Sequence, residues 1–356
     1  MYRMNAVGQN SNNQDFPNLP RIKELINPKH NSKTPPRVAD APTLSDYRPD
    51  SGRPIGPVSS LHAMEQALLT IGMTAFNDES ILDPALERLR ATTPPDTRLV
   101  AFDNCSTDRS PEILARHGAV VLRGNLPQSD ALNVLAASAK SKYLLLMHGD
   151  VFFLSNTWFQ VCAAELDKGH VLVSPDDCGL GNYVRHEFKG RPESSFMMFD
   201  VARLHNRLRH FDPVRFFKRL LKYRHAGPWR VLPLYVAHVT HALPAAIRQA
   251  GLTWTPMTVY PSRRLDQAWF APPPGKWNWQ DEWGHFDYGF GNFYSLNGTL
   301  THYHNWYSRD LFSSAADRNA DGVPMEYIRQ YTRRFLSDLK SGNVHTPAVA
   351  AEPVAS

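Results

Sequence analysis

Side chains able to bind a charged ligand gather in four short stretches: Thr74-Ala75-Phe76-Asn77, Asp103-Asn104-Cys105-Ser106-Thr107-Asp108, Gly124-Asn125 and His148-Gly149-Asp150. Each follows an apolar run. One polar stretch after a strand is an ordinary turn, and Asp103 alone would serve equally as an Asx-turn or helix-cap residue. Four such stretches on one sheet edge point instead to a ligand site. Further along, His302 and His304 stand at i and i+2 of a β-type run and so share a face. Zinc needs three or four ligands, and the sequence offers no convincing set. There is no Gly-x-Ser-x-Gly, and Cys105, Cys162 and Cys178 form no Cys-x-x-Cys pair. Serine or cysteine nucleophiles, a disulfide framework and a cysteine zinc site are therefore disfavoured, and a reducing, cytoplasmic setting is expected.

The elements that must hold these residues follow from the apolar periodicity. Runs over 68–76, 98–102, 120–122 and 143–147 read as buried strands. Helical spacing of Ile81, Leu82, Ala85, Leu86 and Leu89, a Ser110-Pro111-Glu112 helix start, and an apolar stretch over 129–139 fill the gaps. Alternation of this kind predicts an α/β fold, with right-handed βαβ units and a mostly parallel sheet flanked by helices. In such sheets ligands bind beyond the carboxyl ends of the strands, where the four polar stretches lie. After Asp150 the pattern loosens, with strands expected near 171–173 and 196–199.

At 356 residues, 42% hydrophobic and 21% charged, the chain has ample material for a core. A net charge of +5 favours anionic partners without requiring nucleic acid, and no dense Lys/Arg stripe crosses the centre. Residues 1–60, with nine prolines, read as a disordered tail, as do residues 341–356. Between them the domain spans 61–340, divided into halves 61–155 and 156–340, the latter with a basic, apolar segment over 211–247. The N-terminus lacks a signal-peptide core, and no apolar window is long enough to span a bilayer. In 212–224, Phe216, Phe217, Leu220 and Leu221 make an apolar face against five Lys and Arg residues. That pattern fits a helix lying on anionic lipid, and equally a packed helix with a solvated basic face. Trp269, Trp277, Trp279, Trp283 and Trp306 are either core or a platform for a sugar ring.

Taken in order, Thr74-Ala75-Phe76-Asn77, Phe102-Asp103-Asn104-Cys105-Ser106-Thr107-Asp108-Arg109-Ser110, Gly124-Asn125, Ala131-Leu132-Asn133 and Tyr143-Leu144-Leu145-Leu146-Met147-His148-Gly149-Asp150-Val151 resemble the inverting, nucleotide-sugar-dependent glycosyltransferases of the GT-A fold, family-2 type. The resemblance implies a nucleotide-sugar donor, UDP-linked in the first instance, and a glycan acceptor; where 212–224 lies on a membrane surface, the acceptor is expected to be lipid-linked. It assigns Thr74, Ala75, Asn77, Asp103, Asn125 and His148 to the nucleotide, and Asp150, with His302 and His304, to a divalent cation, Mn²⁺ or Mg²⁺. Inversion needs a general base, for which the resemblance offers Asp287 or Glu282, with Asp281 nearby; Trp283 would line the acceptor cleft. His148 departs from the family's Asp at that position. The departure is the main support for a different reading, a degenerate domain that binds nucleotide or glycan without turnover. A third reading, a peripheral membrane scaffold, rests on 212–224 and the tail.

Overall fold

The computed structural model describes residues 67–176, 190–207, 239–240, 242–261, 288, 291–306, 308–311 and 325–347. The first half alternates as the periodicity predicts: β1 (Leu69–Ala75), α1 (Glu79–Thr92), β2 (Thr97–Asp103), α2 (Ser110–Arg116), β3 (Val120–Arg123), α3 (Gln128–Ser138) and β4 (Tyr143–His148). These four strands pair parallel, in the order β3-β2-β1-β4.

Then follow β5 (Val151–Phe153), α4 (Trp158–Asp167), β6 (Leu172–Pro175), β7 (Phe196–Asp200) and α5 (Val201–Arg207). The remaining elements are α6 (Leu243–Gln249), β8 (Trp254–Pro261), β9 (Gly291–Leu296), β10 (Thr299–Asn305) and α7 (Met325–Ser341). The sheet continues from β4 through β7, β6, β8, β9 and β10 to β5. In this second half only β6 and β8 pair parallel; β4–β7, β6–β7, β8–β9, β9–β10 and β10–β5 are antiparallel. The sheet is thus parallel where helices cross between strands and mixed beyond.

Strand parity explains the layers. Ile71, Met73, Leu99, Ala101, Leu145, Met147 and Met198 face a core shared with α1, α2 and α4. Their neighbours Val100, Phe102, Leu144, Leu146 and Met197 face a second core, against α3, α5 and α6. Strands buried on both faces read as continuous apolar runs, as these do. A third cluster joins Ile81, Phe152, Phe293, Tyr303 and Phe335, with α7 packed over β5 and β10. The Phe335 ring lies 5.0 Å from Phe152 and 4.3 Å from Tyr303.

The chain does not leave the domain at 341. Val344 packs against the third cluster, Asn343 N donates to Asp338 O at 2.8 Å and His345 N donates to Tyr288 Oη at 2.9 Å. A single apolar residue with two backbone anchors is enough to seat residues 342–347, which composition alone assigns to a tail. The 1–60 tail, the 212–224 segment and Trp269, Trp277, Trp279 and Trp283 lie outside the described residues. Among the described residues, no helix is long and apolar enough to cross a membrane.

Gly291 opens β9 opposite Asn305, and a Cβ there would collide with the Tyr303 side chain and the His304 carbonyl oxygen. Backbone cannot yield as a flexible side chain can. Gly291→Ala is therefore expected to destabilise the fold by about 1–3 kcal/mol, read as a lowered urea midpoint. An unchanged midpoint would refute the close approach of β9 to β10.

Candidate active site

The loops after β1 and β2 are laced together. Asn77, at φ 55, donates its N–H to Ser106 Oγ at 3.0 Å and accepts Thr107 N at 2.9 Å on its Oδ1. Asp78 N donates to Ser110 Oγ at 2.9 Å, and Asp108 accepts Glu79 N at 2.9 Å and Ser110 N at 3.0 Å. Much of the Asp103–Asp108 string is therefore scaffold, supplying acceptors for the N–H groups at the starts of α1 and α2.

Parity also separates Asp103 from its neighbour. The Asp103 side chain is fully buried, with its oxygens 3.3 Å from Ser106 N and 3.1 Å from Arg123 Nε. Its carboxylate is turned away from the cavity. Asn104, one residue on and on the same side as Phe102, lines it instead. Strand alternation thus directs the Asp103 carboxylate to the β2–α2 turn, and Asn104 is the residue of this pair that lines the cavity. Asn125 is exposed and is not among the lining residues, so the cavity does not include it either.

The cavity, about 520 Å³, opens at the carboxyl ends of β1, β2 and β4. Thr74, Ala75 and His148 line it as the sequence predicts, and Phe76, 45% exposed, stands at its rim. Asn77 does not line it; its amide is spent between the two loops.

His148, Asp150 and His304 each offer one ligand atom, and these atoms lie within 4.8 Å of one another. β4 delivers the first two residues. His304 arrives on β10, which runs antiparallel to β5 with His304 opposite Val151. Gly149 lets the chain pass: a Cβ there would sit 2.9 Å from Asp78 Oδ2 and 3.3 Å from Leu82 Cδ1. Asp150 Oδ2 accepts from Ser308 Oγ at 2.8 Å. Its Oδ1 is buried without a hydrogen-bond partner, 3.3 Å from His304 Nε2. An orphaned carboxylate oxygen between two imidazoles fits a divalent cation, and Mn²⁺ accepts both ligand types. His148 thus joins the cluster, so His in place of Asp leaves a candidate cation-binding set in place.

His302 shares a face with His304 but not its surroundings. Two residues back, about 6.6 Å along the strand, its ring is sandwiched between Phe196 at 4.4 Å and Tyr294 at 4.6 Å. It is fully buried, beside Thr301 Oγ1 at 2.9 Å, and burial pushes it down to about 3, so it stays neutral. Its assignment to the cation is corrected: the stacking seats it in the core, one step from the cluster.

Two acids, Asp150 and Glu193, flank His304, and a third, Asp78, lies beyond Asp150. Burial works against the charge on His304, but Asp150 and Glu193 outweigh burial and raise it to about 10. Burial also opposes ionisation of Asp150, which His304 and His148 nevertheless hold below the usual carboxylate range. Asp78 goes the other way, pushed up to about 7 by burial and then by the charge on Asp150. Ser308 Oγ spans these two carboxyls, 3.1 Å from Asp78 Oδ1 and 2.8 Å from Asp150 Oδ2. Glu193, against burial, is held down to about 2 by His304, Tyr294 and Ser195.

Asp78, Glu193 and Ser308 are absent from the sequence-based assignment. Asp78 reads as a helix start. Glu193 precedes β7, and only the antiparallel pairing of Met147 with Phe196 puts it beside the end of β4. Asp281, Glu282, Trp283 and Asp287 lie outside the described residues; Trp306 is the tryptophan that lines the cavity among those described.

Residues 70–224 match the family model described as Glycosyl transferase family 2. No curated protein matches the chain. Among solved structures, it is similar to a mannosyltransferase from Pyrobaculum calidifontis in complex with GDP-Man and Mn²⁺, at 14% identity over 40% of this chain and 46% of that one, TM-score 0.32. It is similar to S. aureus TarS in complex with UDP-GlcNAc, at 16% identity over 38% and 46% of the two chains, TM-score 0.30. A third is glucosyl-3-phosphoglycerate synthase from Mycobacterium tuberculosis with Mn²⁺, UDP and glucosyl-3-phosphoglycerate, at 16% identity over 44% and 64%, TM-score 0.31. The alignments span about half the length of the first two proteins and under two thirds of the third.

Proposed function

We propose, from the match of residues 70–224 to the Glycosyl transferase family 2 model, that the protein transfers a sugar from a nucleoside-diphosphate donor, UDP-linked in the first instance, to a hydroxyl acceptor with inversion. The observation that carries this reading is the His148–Asp150–His304 cluster, set at the end of β4 in the wall of a 520 Å³ cavity. The ends of β1 and β2 supply another part of that wall, with Gln128 and Ala131 of α3 and with Trp306 and Ser308, at the edge where an α/β sheet binds ligands.

In this reading His148, Asp150 and His304 hold a divalent cation. Two imidazoles with one carboxylate favour Mn²⁺ over Mg²⁺, which prefers oxygen ligands. When bound, the cation supplies charge neutralisation at the departing diphosphate. Phe76 and Phe102 offer the nucleobase an apolar wall, and Asn104 an amide edge. Asn104 Oδ1 already accepts Leu126 N at 2.9 Å, so its NH₂ is the group left for a carbonyl of the base. An acid at 287 or 282 takes the acceptor proton as the acceptor oxygen attacks the anomeric carbon. The sugar–phosphate bond breaks in the same displacement, and no covalent enzyme intermediate forms.

Thermal unfolding with UDP, GDP or dTDP, each with and without Mn²⁺, tests the reading. A ligand at about 100 times its Kd stabilises by about 2.7 kcal/mol, a rise of roughly 5–10 °C here. UDP is expected to give that rise only with Mn²⁺. No rise with any nucleotide, in either condition, would overturn the proposed site.

A further inference from the structure

Glu193 has no part in the displacement just described, yet it is held more tightly than a solvated surface acid. Its side chain is 17% exposed. Oε1 accepts from Ser195 Oγ at 2.7 Å and faces His304 Nδ1 at 3.0 Å; Oε2 accepts from Tyr294 Oη at 2.7 Å. Asn292 Nδ2 donates to the same Tyr294 oxygen at 3.1 Å, which leaves the phenolic proton aimed at Glu193. The donors come from β9, from β10 and from the segment before β7. The Tyr294 ring is stacked on His302, and His302 on Phe196, so the support is rigid.

We propose that Glu193 is a positioning residue for the cation site: its carboxylate captures Nδ1–H of His304 and so turns Nε2 toward Asp150 as the ligating nitrogen. A carboxylate only accepts, so Nδ1 carries a proton toward Glu193. Nε2, which carries one toward Asp150 while no cation is bound, is the nitrogen a cation would take over as that proton leaves. It is the one 3.3 Å from the partnerless Oδ1 of Asp150. Metal-bound histidines are commonly held in this way, with the second ring nitrogen donating to a carboxylate, and loss of that partner weakens metal binding by about 10–100-fold. The proposal rests on the cation-assisted reading of the site.

The test titrates Mn²⁺ alone into the full chain, following the free ion by electron paramagnetic resonance, for wild type and Glu193→Gln. The amide keeps the shape of the side chain and removes its charge. Wild type is expected to bind, and the variant to bind at least about tenfold more weakly while keeping a cooperative melt without Mn²⁺. Binding by the variant within about threefold of wild type would overturn the positioning role and leave the cation reading standing. Absence of Mn²⁺ binding in wild type would overturn both. Should Glu193→Gln fail to fold, a long-range ¹H–¹⁵N spectrum of wild type with Mg²⁺ decides the matter. A proton on Nδ1 of His304 and none on Nε2 supports the proposal; the opposite tautomer, or a ring still protonated on both nitrogens at saturating Mg²⁺, overturns it.

Discussion

Asp150→Asn is expected to lower sugar transfer by about a thousandfold and to abolish the Mn²⁺-dependent stabilisation by UDP. Asp150 is the one carboxylate in the cluster with His148 and His304, so the amide removes all of that cluster's negative charge. A cation that stabilises the leaving diphosphate by several kcal/mol supplies about three powers of ten in rate, which is what its loss forfeits. The same change should be mild for the fold. Asn keeps an oxygen for the Ser308 hydroxyl that Asp150 Oδ2 now accepts at 2.8 Å. Asp78, whose carboxyl is raised by burial and by the Asp150 charge, loses the second of those pressures. The assay is release of UDP from a panel of UDP-sugars, with the cation-free melt as control. More than about a tenth of wild-type activity in a folded variant would sink the assignment of Asp150, since no other described side chain in the cluster could replace its charge.

The contrast between Asp150 and the residues around it shows what sequence can convey. Strands β1 to β4 are legible because each is a short apolar run bounded by turn residues, and parallel crossovers force their carboxyl ends onto one edge. Thr74, Ala75, His148 and Asp150 are placed at that edge by this rule, and the family resemblance supplies the roles expected of them. For Asp103, assigned to the nucleotide by the family resemblance, the strand-end rule is too coarse to give the direction of the side chain. The end of β2 does reach the edge, but the two-residue period sends Asp103 toward Ser106 and Arg123 and leaves Asn104 in the cavity. The rest of the cluster depends on chain reversals. Glu193 meets β4 because β7 is antiparallel to it, and His304 meets Asp150 because β10 is antiparallel to β5. Nothing local in Arg191-Pro192-Glu193-Ser194-Ser195 records that reversal. His302 and His304 are alike in sequence, and only the stacking of Phe196 and Tyr294 distinguishes the core residue from the ligand candidate. Glycine at 149 follows the same logic: it reads as a turn residue, and its use is to let the Asp78 carboxyl approach within van der Waals contact.

His304→Ala is expected to destabilise the protein by about 3–5 kcal/mol near neutral pH, because it strands two buried acids at once. Glu193 Oε1 and Asp150 Oδ1 lie 3.0 and 3.3 Å from its two ring nitrogens. The loss should also depend on pH, with a sign fixed by the fold. An ordinary imidazole releases its proton near 6.5, and in the folded protein His304 holds it to about 10, burial being outweighed by the two acids. The folded state therefore binds more protons than the unfolded chain between those values. The contribution is fully present below pH 6.5 and is lost as pH rises toward 10. On the acid side the difference between wild type and variant narrows again. Without the imidazole, burial drives Glu193 back up from about 2, so the variant protonates it and relieves the stranded charge. Wild type has its own acid weakness in His302, which the fold keeps neutral to about 3 while the unfolded chain takes a proton below 6.5. Burial, its largest cause, is common to both proteins, so most of that term drops out of the difference. Urea unfolding of wild type and variant across this range should give a difference that peaks near neutrality and shrinks on both sides. A difference that stayed constant from neutrality to pH 10 would mean that His304 contributes packing rather than charge, and Glu193 would then have no imidazolium to hold.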